Sequence, residues 1–392
     1  MADNKDKKVL NVPALRFPEF TGEWKSVHLE DVAEFQKKRI SSDLLNNNNY
    51  ISTENILQNF EGIQYSSSIP TNTNVIEYQK GDILLSNIRP YLKKVWFSDR
   101  KGGCSADVFV LRGDKCDQHF LYYVIASDRF INYVMSGVKG VKMPRGDKNQ
   151  MKKYAFPIPT NTEQRKIAKF LSMLDERIKL QNKIIEKLQS LIKGLSQQLL
   201  SSENDWILYR LDDLAQIKSG YSGTQVSYQT PYKVSRIETI SKHCIDIQRI
   251  GYVECIPESY RLNVGNILFS NINSIQYIGN TAYLDKDYGL YHGMNLLRII
   301  PNTTIVRPRF LHLLLCTDWA INHFQTICNK AVSQASINQT ALGKSRFPIP
   351  PMSVQQQICS MFELTERKLD NEQEYISCLQ QQKRYLLQKM FI

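Results

Sequence analysis

Residues Phe156–Ile178 read FPIPTNTEQRKIAKFLSMLDERI, and residues Phe347–Leu369 read FPIPPMSVQQQICSMFELTERKL, an offset of 191. In each, the Phe-Pro-Ile-Pro run is extended, because proline fixes its own φ and pushes the preceding residue out of the helical region. A capping-box pattern follows, Thr160-x-x-Glu163 and Ser353-x-x-Gln356, and predicts a helix start. Seam positions then recur at alternating spacings of three and four: Leu171, Leu174, Ile178, the polar Gln181, Ile185, Leu188, Ile192, Leu195 and Leu199. That alternation is a coiled-coil seam. The same offset places Phe362, Thr365, Leu369, Glu372, Ile376, Leu379, Lys383, Leu386 and Met390 on a second, leakier seam, with Leu364, Tyr375 and Leu387 beside it. Two such helices in one chain bury their seams on each other. Run antiparallel, they make a rod of up to about 60 Å with a globular domain towards each end.

Working outward, the helices belong to a duplication. Trp24–Ala33 (WKSVHLEDVA) matches Trp206–Ala215 (WILYRLDDLA) at four of ten positions, offset 182. Gly81–Pro90 (GDILLSNIRP) matches Gly265–Ser274 (GNILFSNINS) at six of ten, offset 184. A period this long is a duplicated domain pair and not a stacking solenoid. Short apolar runs at Asp82–Leu85, Val108–Leu111, Asn266–Phe269 and Asn295–Ile300 read as strands. Phe120–Met135 and Phe310–Ile327 read as matching helical patches, at offset 190. The expected fold is α+β, with a small, mainly antiparallel sheet in each globular part. The expected division is 1–19 as an N-terminal segment, 20–155 as a first domain, 156–203 as linker and long helix, 204–346 as a second domain, and 347–392 as linker and helix.

Composition narrows the function. The 392 residues are 42% hydrophobic and 22% charged, ordinary for a soluble globular protein. Lys plus Arg number 50 and Asp plus Glu 38, a formal charge of +12, and the isoelectric point is near 9.1. Such a chain favours a polyanionic partner, nucleic acid before an anionic membrane. The start, MADNKDKKVLNV, has no apolar core behind its lysines, and no apolar run reaches the length of a membrane helix. The eight cysteines never fall as C-x-x-C and read as reduced thiols. The expectation is a cytoplasmic protein with no membrane partner.

Recognisable catalytic chemistry is missing. Gly343-Lys344-Ser345 resembles the end of a phosphate-binding loop, but the position of its first glycine is Asn338. No H-E-x-x-H, G-x-S-x-G or dinucleotide fingerprint occurs. The only Pro-Pro, Pro350-Pro351, precedes Met352 and not the aromatic residue of an amino-methyltransferase motif. His312 and His323 share roughly one helical face and read as satisfied, partly buried groups. No catalytic residue and no metal site is assigned.

What remains is a set of polar and basic loops that differ between the copies. Copy one carries Lys37, Lys38, Arg39, Asn87, Arg89, Lys93, Lys94, Lys139, Lys142, Arg145, Lys148 and Asn149. Copy two carries Lys218, Ser219, Tyr221, Thr224, Gln225, Arg236, Asn271, Asn273, Gln276, Lys330, Ser333, Gln334, Ser336 and Asn338. Arg and Lys suit guanine edges, Asn and Gln suit adenine, and Lys, Tyr and backbone amides hold phosphates. Together they are candidates for a DNA-facing surface.

A globular domain, then Phe-Pro-Ile-Pro with Glu163-Gln164-Arg165-Lys166-Ile167, then a heptad helix, all repeated once, resembles the specificity subunit of type I restriction–modification systems. Val12-Pro13-Ala14-Leu15-Arg16-Phe17-Pro18-Glu19-Phe20 before Trp24 adds to the likeness. The second copy, Val354-Gln355-Gln356-Gln357-Ile358, keeps the Gln and Ile and loses the Glu. The resemblance implies two target-recognition domains, each reading one half of a bipartite site on double-stranded DNA. It implies helices that space the domains and dock two modification (methyltransferase) subunits, with restriction subunits joining the same assembly. It implies a chain that is itself non-catalytic and cofactor-free, with S-adenosylmethionine, ATP and Mg²⁺ bound by the partners. Because the copies differ in their loops, the target would be asymmetric. The competing readings are a stand-alone nuclease or methyltransferase with an unrecognised site, and a structural adaptor. Activity without partners would mark the first, and a flat salt response of DNA binding the second.

Overall fold

The Phe-Pro-Ile-Pro runs are strands. Ala155–Ile158 pairs antiparallel with Lys25–His28, Phe156 opposite Val27, and Arg346–Ile349 pairs with Ile207–Arg210, Phe347 opposite Tyr209. Each two-stranded ribbon ties the end of a globular domain to its beginning. The computed structural model describes residues 11–391 apart from 67, 139, 141, 202–205, 242 and 331–333.

The chain forms two units, Met1–Asn182 with Glu374–Ile392, and Lys183–Gln373. Each unit therefore contains the start of one long helix and the end of the other. The first helix is Asn161–Leu199 and the second Met352–Met390. In the first unit Asp175 Oδ1 is 2.5 Å from Lys383 Nζ, and the Arg177 guanidinium lies 5.4 Å from the Tyr375 ring. Numbers rise on one helix as they fall on the other, so the pair is antiparallel there. Every seam position read from the sequence is buried or half-buried, the polar Gln181, Thr365, Glu372 and Lys383 included. Lys383 is held by Asp175, whose other oxygen accepts a 2.8 Å bond from the Tyr123 hydroxyl. A charge in a seam is tolerated when it is paired in this way.

Each unit has two four-stranded sheets where one small sheet was expected. The first sheet is antiparallel and identical in topology in both copies. Its order is Ala33–Phe35, Val108–Gly113, Ile83–Ser86, Val95–Phe97 in the first unit. In the second it is Ala215–Ser219, Leu297–Pro301, Ile267–Phe269, Thr281–Tyr283. The second sheet of each unit is built from strands of two to five residues, and it contains one parallel pair, Tyr50–Ile51 with Gly102–Cys104 and Tyr232–Val234 with Leu290–Tyr291. The helical patches are each split in two: Gln118–Ile125 and Asp128–Ser136, then Pro308–Leu315 and Asp318–Ile327. Ser127 and Thr317 break them, each accepting a backbone N–H three residues on as a new N-cap. Trp24, Leu111, Phe120, Phe130, Leu171 and Met390 share the first core, and Leu211, Ile299, Phe310, Phe347 and Phe362 the second.

The capping boxes do not form as expected. Thr160 Oγ1 accepts the Glu163 N–H at 3.4 Å, but the Glu163 carboxylate turns inward. It takes two 2.7 Å bonds from Arg16 and one of 3.3 Å from Trp24 Nε1. A carboxylate buried this deeply needs a cation, and Arg16 supplies a bidentate one. In the second copy the helix already starts at Met352, and Val354 replaces the glutamate. The shared device is one residue further on. Gln164 donates to the Pro159 carbonyl at 2.8 Å and accepts from the Asp117 N–H at 2.8 Å. Gln355 donates to Pro350 and Ile305 carbonyls at 2.9 and 3.0 Å and accepts from the Arg307 N–H at 2.7 Å. Each glutamine joins three elements: the ribbon strand, the long helix and the helix that follows the first sheet.

Candidate nucleic-acid interface

In the first unit, Lys37, Arg39 and Lys148 converge on a cleft of about 290 Å³. Its floor is Phe35 and Phe109, edge to face at 5.5 Å. Lys148 Nζ stands 4.8 Å from the Phe35 ring centre and 5.8 Å from that of Phe109. Burial, and next the charges of Lys37 and Lys152, lower the Lys148 pKa from its ordinary value. Lys38 points elsewhere and pairs with Glu77 at 2.7 Å.

Two more loops of this unit meet. The Arg89 N–H bonds the Pro144 carbonyl at 2.8 Å and the Gly146 N–H bonds the Asn87 carbonyl at 3.0 Å. Arg89 and Lys93 both take left-handed backbone, φ 50° and 54°, which brackets the turn between them. Arg89, Lys142, Arg145 and Asn149 are exposed, with Arg145 3.2 Å from Asp107. Lys93 pairs with Asp128 at 2.6 Å. Lys94 donates to the Thr53 carbonyl at 2.6 Å, and burial lowers its pKa, so its charge is spent inside the unit.

The second unit repeats the arrangement with other side chains. Lys218, Ser219, Tyr260, His292, Arg298 and Gln339 line a cleft of about 420 Å³. Arg298 bonds Asn266 Oδ1 at 2.7 Å. Burial pushes the His292 pKa down to about 4 while Nε2 sits 3.0 Å from the Leu296 carbonyl, so the ring is neutral near pH 7. The loop holding Ile272–Asn273 pairs with Ala335–Ser336, which pairs in turn with Asn329–Lys330. Asn271 bonds the Ile337 carbonyl at 3.3 Å, Asn273 bonds Ser270 Oγ at 3.1 Å, and Asn338 caps a helix by accepting the Ala341 N–H at 2.7 Å. Asn87 and Asn271, equivalent at offset 184, each bury an Oδ1 with no hydrogen-bond partner among the described residues.

Among the remaining sequence candidates, Thr224, Gln276, Lys330 and Gln334 are exposed. Arg236 is exposed beside Glu238 at 3.4 Å. Gln225 and Ser336 lie half-buried in strands, and Tyr221 packs edge-on against Tyr260 at 5.3 Å. Lys139 and Ser333 lie outside the described residues. His312 and His323 do not meet: His312 sits between Arg309 and Cys316, and His323 bonds Ser345 Oγ at 3.0 Å.

The long helices carry a second apolar stripe outside the seam. Phe170, Met173, Leu180, Ile184 and Leu191 are exposed on the first helix, and Met361, Leu364, Tyr375 and Tyr385 on the second. Their positions again alternate by threes and fours, with gaps, and three pairs correspond at offset 191: Phe170 with Met361, Met173 with Leu364, and Ile184 with Tyr375. Exposed apolar residues at heptad spacing suit a further helix.

The type I restriction modification DNA specificity domain matches residues 21–190 and again 203–381. The chain belongs to that family. It is similar to the MjaX type I restriction enzyme specificity subunit of Methanocaldococcus jannaschii, 38% identical over 193 residues, 48% of this chain and 45% of that one. The chain thus spans about half the length of that relative. It is also similar to the MjaVIII specificity subunit of the same organism, 24% identical over 392 residues, 90% of this chain and 87% of that one. A crystal structure of a type I S subunit from M. genitalium shares the fold, with TM-score 0.63 and 16% identity over 97% of this chain and 99% of that one. Among the described residues of this specificity-family chain, no helix is long and apolar enough to cross a membrane.

Sequence reasoning missed Phe35, Phe109, Tyr260, His292 and Arg298. A signal was present for the two clefts. Phe35-Gln36-Lys37 aligns with Ile217-Lys218-Ser219 at offset 182, and Lys148 aligns with Gln339 at offset 191. Which other residues close the clefts depends on sheet pairing and has no local signal.

Proposed function

We propose that this chain is the non-catalytic reader of a type I restriction–modification complex, recognising an asymmetric bipartite DNA site with one half-site per unit. The observation that carries this is the duplication itself: two units of one scaffold, with cation-bearing clefts and loops at equivalent places and different side chains in each. Equivalent placement presents both units to the same kind of ligand, and the different linings select different sequences. The exposed stripe on the long helices supports docking of modification subunits through helices of their own. Those partners would bring S-adenosylmethionine and the methyl transfer, and restriction subunits would bring ATP and Mg²⁺. Methylome sequencing of cells with and without this gene, its modification partner present in both, tests the reading. A bipartite, non-palindromic methylated motif that vanishes with the gene is expected. An unchanged methylome overturns it.

A further inference from the structure

The two clefts are equivalent by sequence offset and by architecture. Each lies between the last residues of the first strand of the antiparallel sheet and the first residue of a short helix, Lys148 or Gln339. That helix is capped by Asp147 in one copy and Asn338 in the other. Their linings agree in one further respect. The first contains Lys37, Arg39 and Lys148 and no carboxylate. The second contains Lys218 and Arg298 and no carboxylate. Lys37, Lys148, Lys218 and Arg298 make no ion pair with a carboxylate among the described residues, whereas the loop cations Lys38, Lys93, Arg145 and Arg236 each have one beside them. Arg298 is 5% exposed and, among the described residues, hydrogen-bonds neutral oxygens alone, Asn266 Oδ1 and, at 3.4 Å, the Ser259 carbonyl. Like charges gathered without a counter-ion are costly, and an anion entering the cleft relieves that cost.

We infer that each cleft holds one backbone phosphate of the DNA half-site that its unit engages, Lys37, Arg39 and Lys148 gripping it in the first unit and Lys218 with Arg298 in the second. The inference rests on the DNA-reading function proposed above. Phosphate contacts fix the register of a protein on the duplex and leave sequence to neighbouring base contacts. Two equivalent phosphate anchors would set both units on DNA in the same way, while the paired loops 87–94 with 142–147, and 271–277 with 334–338, differ freely.

The test uses the full-length chain assembled with the modification subunit of its own system. Two duplexes are compared, one carrying the mapped methylation site and one a scrambled sequence. Lys148→Gln places in the first cleft the residue that stands at that point in the second, and Lys218→Gln removes the exposed cation of the second. Thermal melting of each variant confirms folding. Each substitution is expected to weaken binding to both duplexes alike and to make the slope of log K against log salt shallower by about one, with the double variant losing about two. An unchanged slope overturns the inference. So does a variant that changes sequence preference with its slope intact, because that marks a base contact. Failure of the unsubstituted complex to prefer its mapped site would instead overturn the DNA-reading function itself.

Discussion

The two units are the same scaffold solved twice, and they differ most in how the entry strand is held. In the second unit that strand, Ile207–Arg210, is separated by seven residues from the first long helix, which ends at Leu199, and Leu200 is buried in the core. In the first unit the entry strand, Lys25–His28, is preceded by residues 11–20, which must be fastened by contacts. Arg16 clamps Glu163, Glu19 pairs with Lys166, Phe17 meets Phe170 edge-on at 5.9 Å, and the Leu15 N–H bonds the Lys389 carbonyl at 2.8 Å. The contacts of residues 15–19 must outweigh the conformational entropy lost in ordering that segment. Glu163 belongs to that fastening through Arg16, and Val354 stands at its place in the other copy. The glutamines one residue on, Gln164 and Gln355, are kept because both units must join the same three elements.

The strongest way to break the comparison is to exchange one unit's reader. Replacing residues 20–155 with the corresponding domain of a relative, and keeping Phe156 onward, is expected to change one half of the methylated motif and leave the other. A good bidentate base contact carries about 1–3 kcal/mol, so the altered half should move by orders of magnitude in preference. Methylation mapping reads the result. If both halves change together, the units do not read independently.

A smaller effect is expected at the anchor. Glu163→Ala leaves Arg16 without its partner and should destabilise the first unit by about 3 kcal/mol in urea unfolding. Arg16→Met in the same chain should recover part of that. Val354→Ala in the second unit should cost no more than about 1 kcal/mol. Equal losses in the two units would contradict the asymmetric fastening.

Acid should separate the units more gently. The first unit's histidines, His28 and His119, are exposed, whereas His292 and His312 are buried in the second. Burial lowers the pKa of His292 to about 4, and those of His243 and His312 also fall below the ordinary 6.5. The unfolded chain takes up protons near pH 6.5 and the folded unit only at lower pH. Stability is therefore full above about 6.5 and is lost as the pH falls towards 4. For His292 alone the loss is on the order of 2 kcal/mol by pH 5. Thermal melts between pH 7 and 5 should show the second unit weakening first, and His292→Gln should flatten that response. A melt that weakens equally in His292→Gln and the unsubstituted chain would remove His292 as the cause.

The sequence by itself determined the duplication, the extended Phe-Pro-Ile-Pro runs, the main strands of the antiparallel sheet and the two long helices with their three-four apolar spacing. These are local or periodic properties: proline restricts its neighbours, and an apolar residue at each seam position faces the same way whatever lies opposite. Only the tertiary structure decided that Glu163 serves Arg16 and not its own helix cap. It also decided that Lys94 is spent on Thr53 while Lys148 and Lys37 converge, and that Phe35, Phe109 and Arg298 belong to the clefts. A side chain's partner there is set by which strands pair and where loops fold back, across separations of 147 residues in the case of Arg16 and Glu163. Charge and residue type establish what a group can bind, and long-range packing establishes what it has left to bind with.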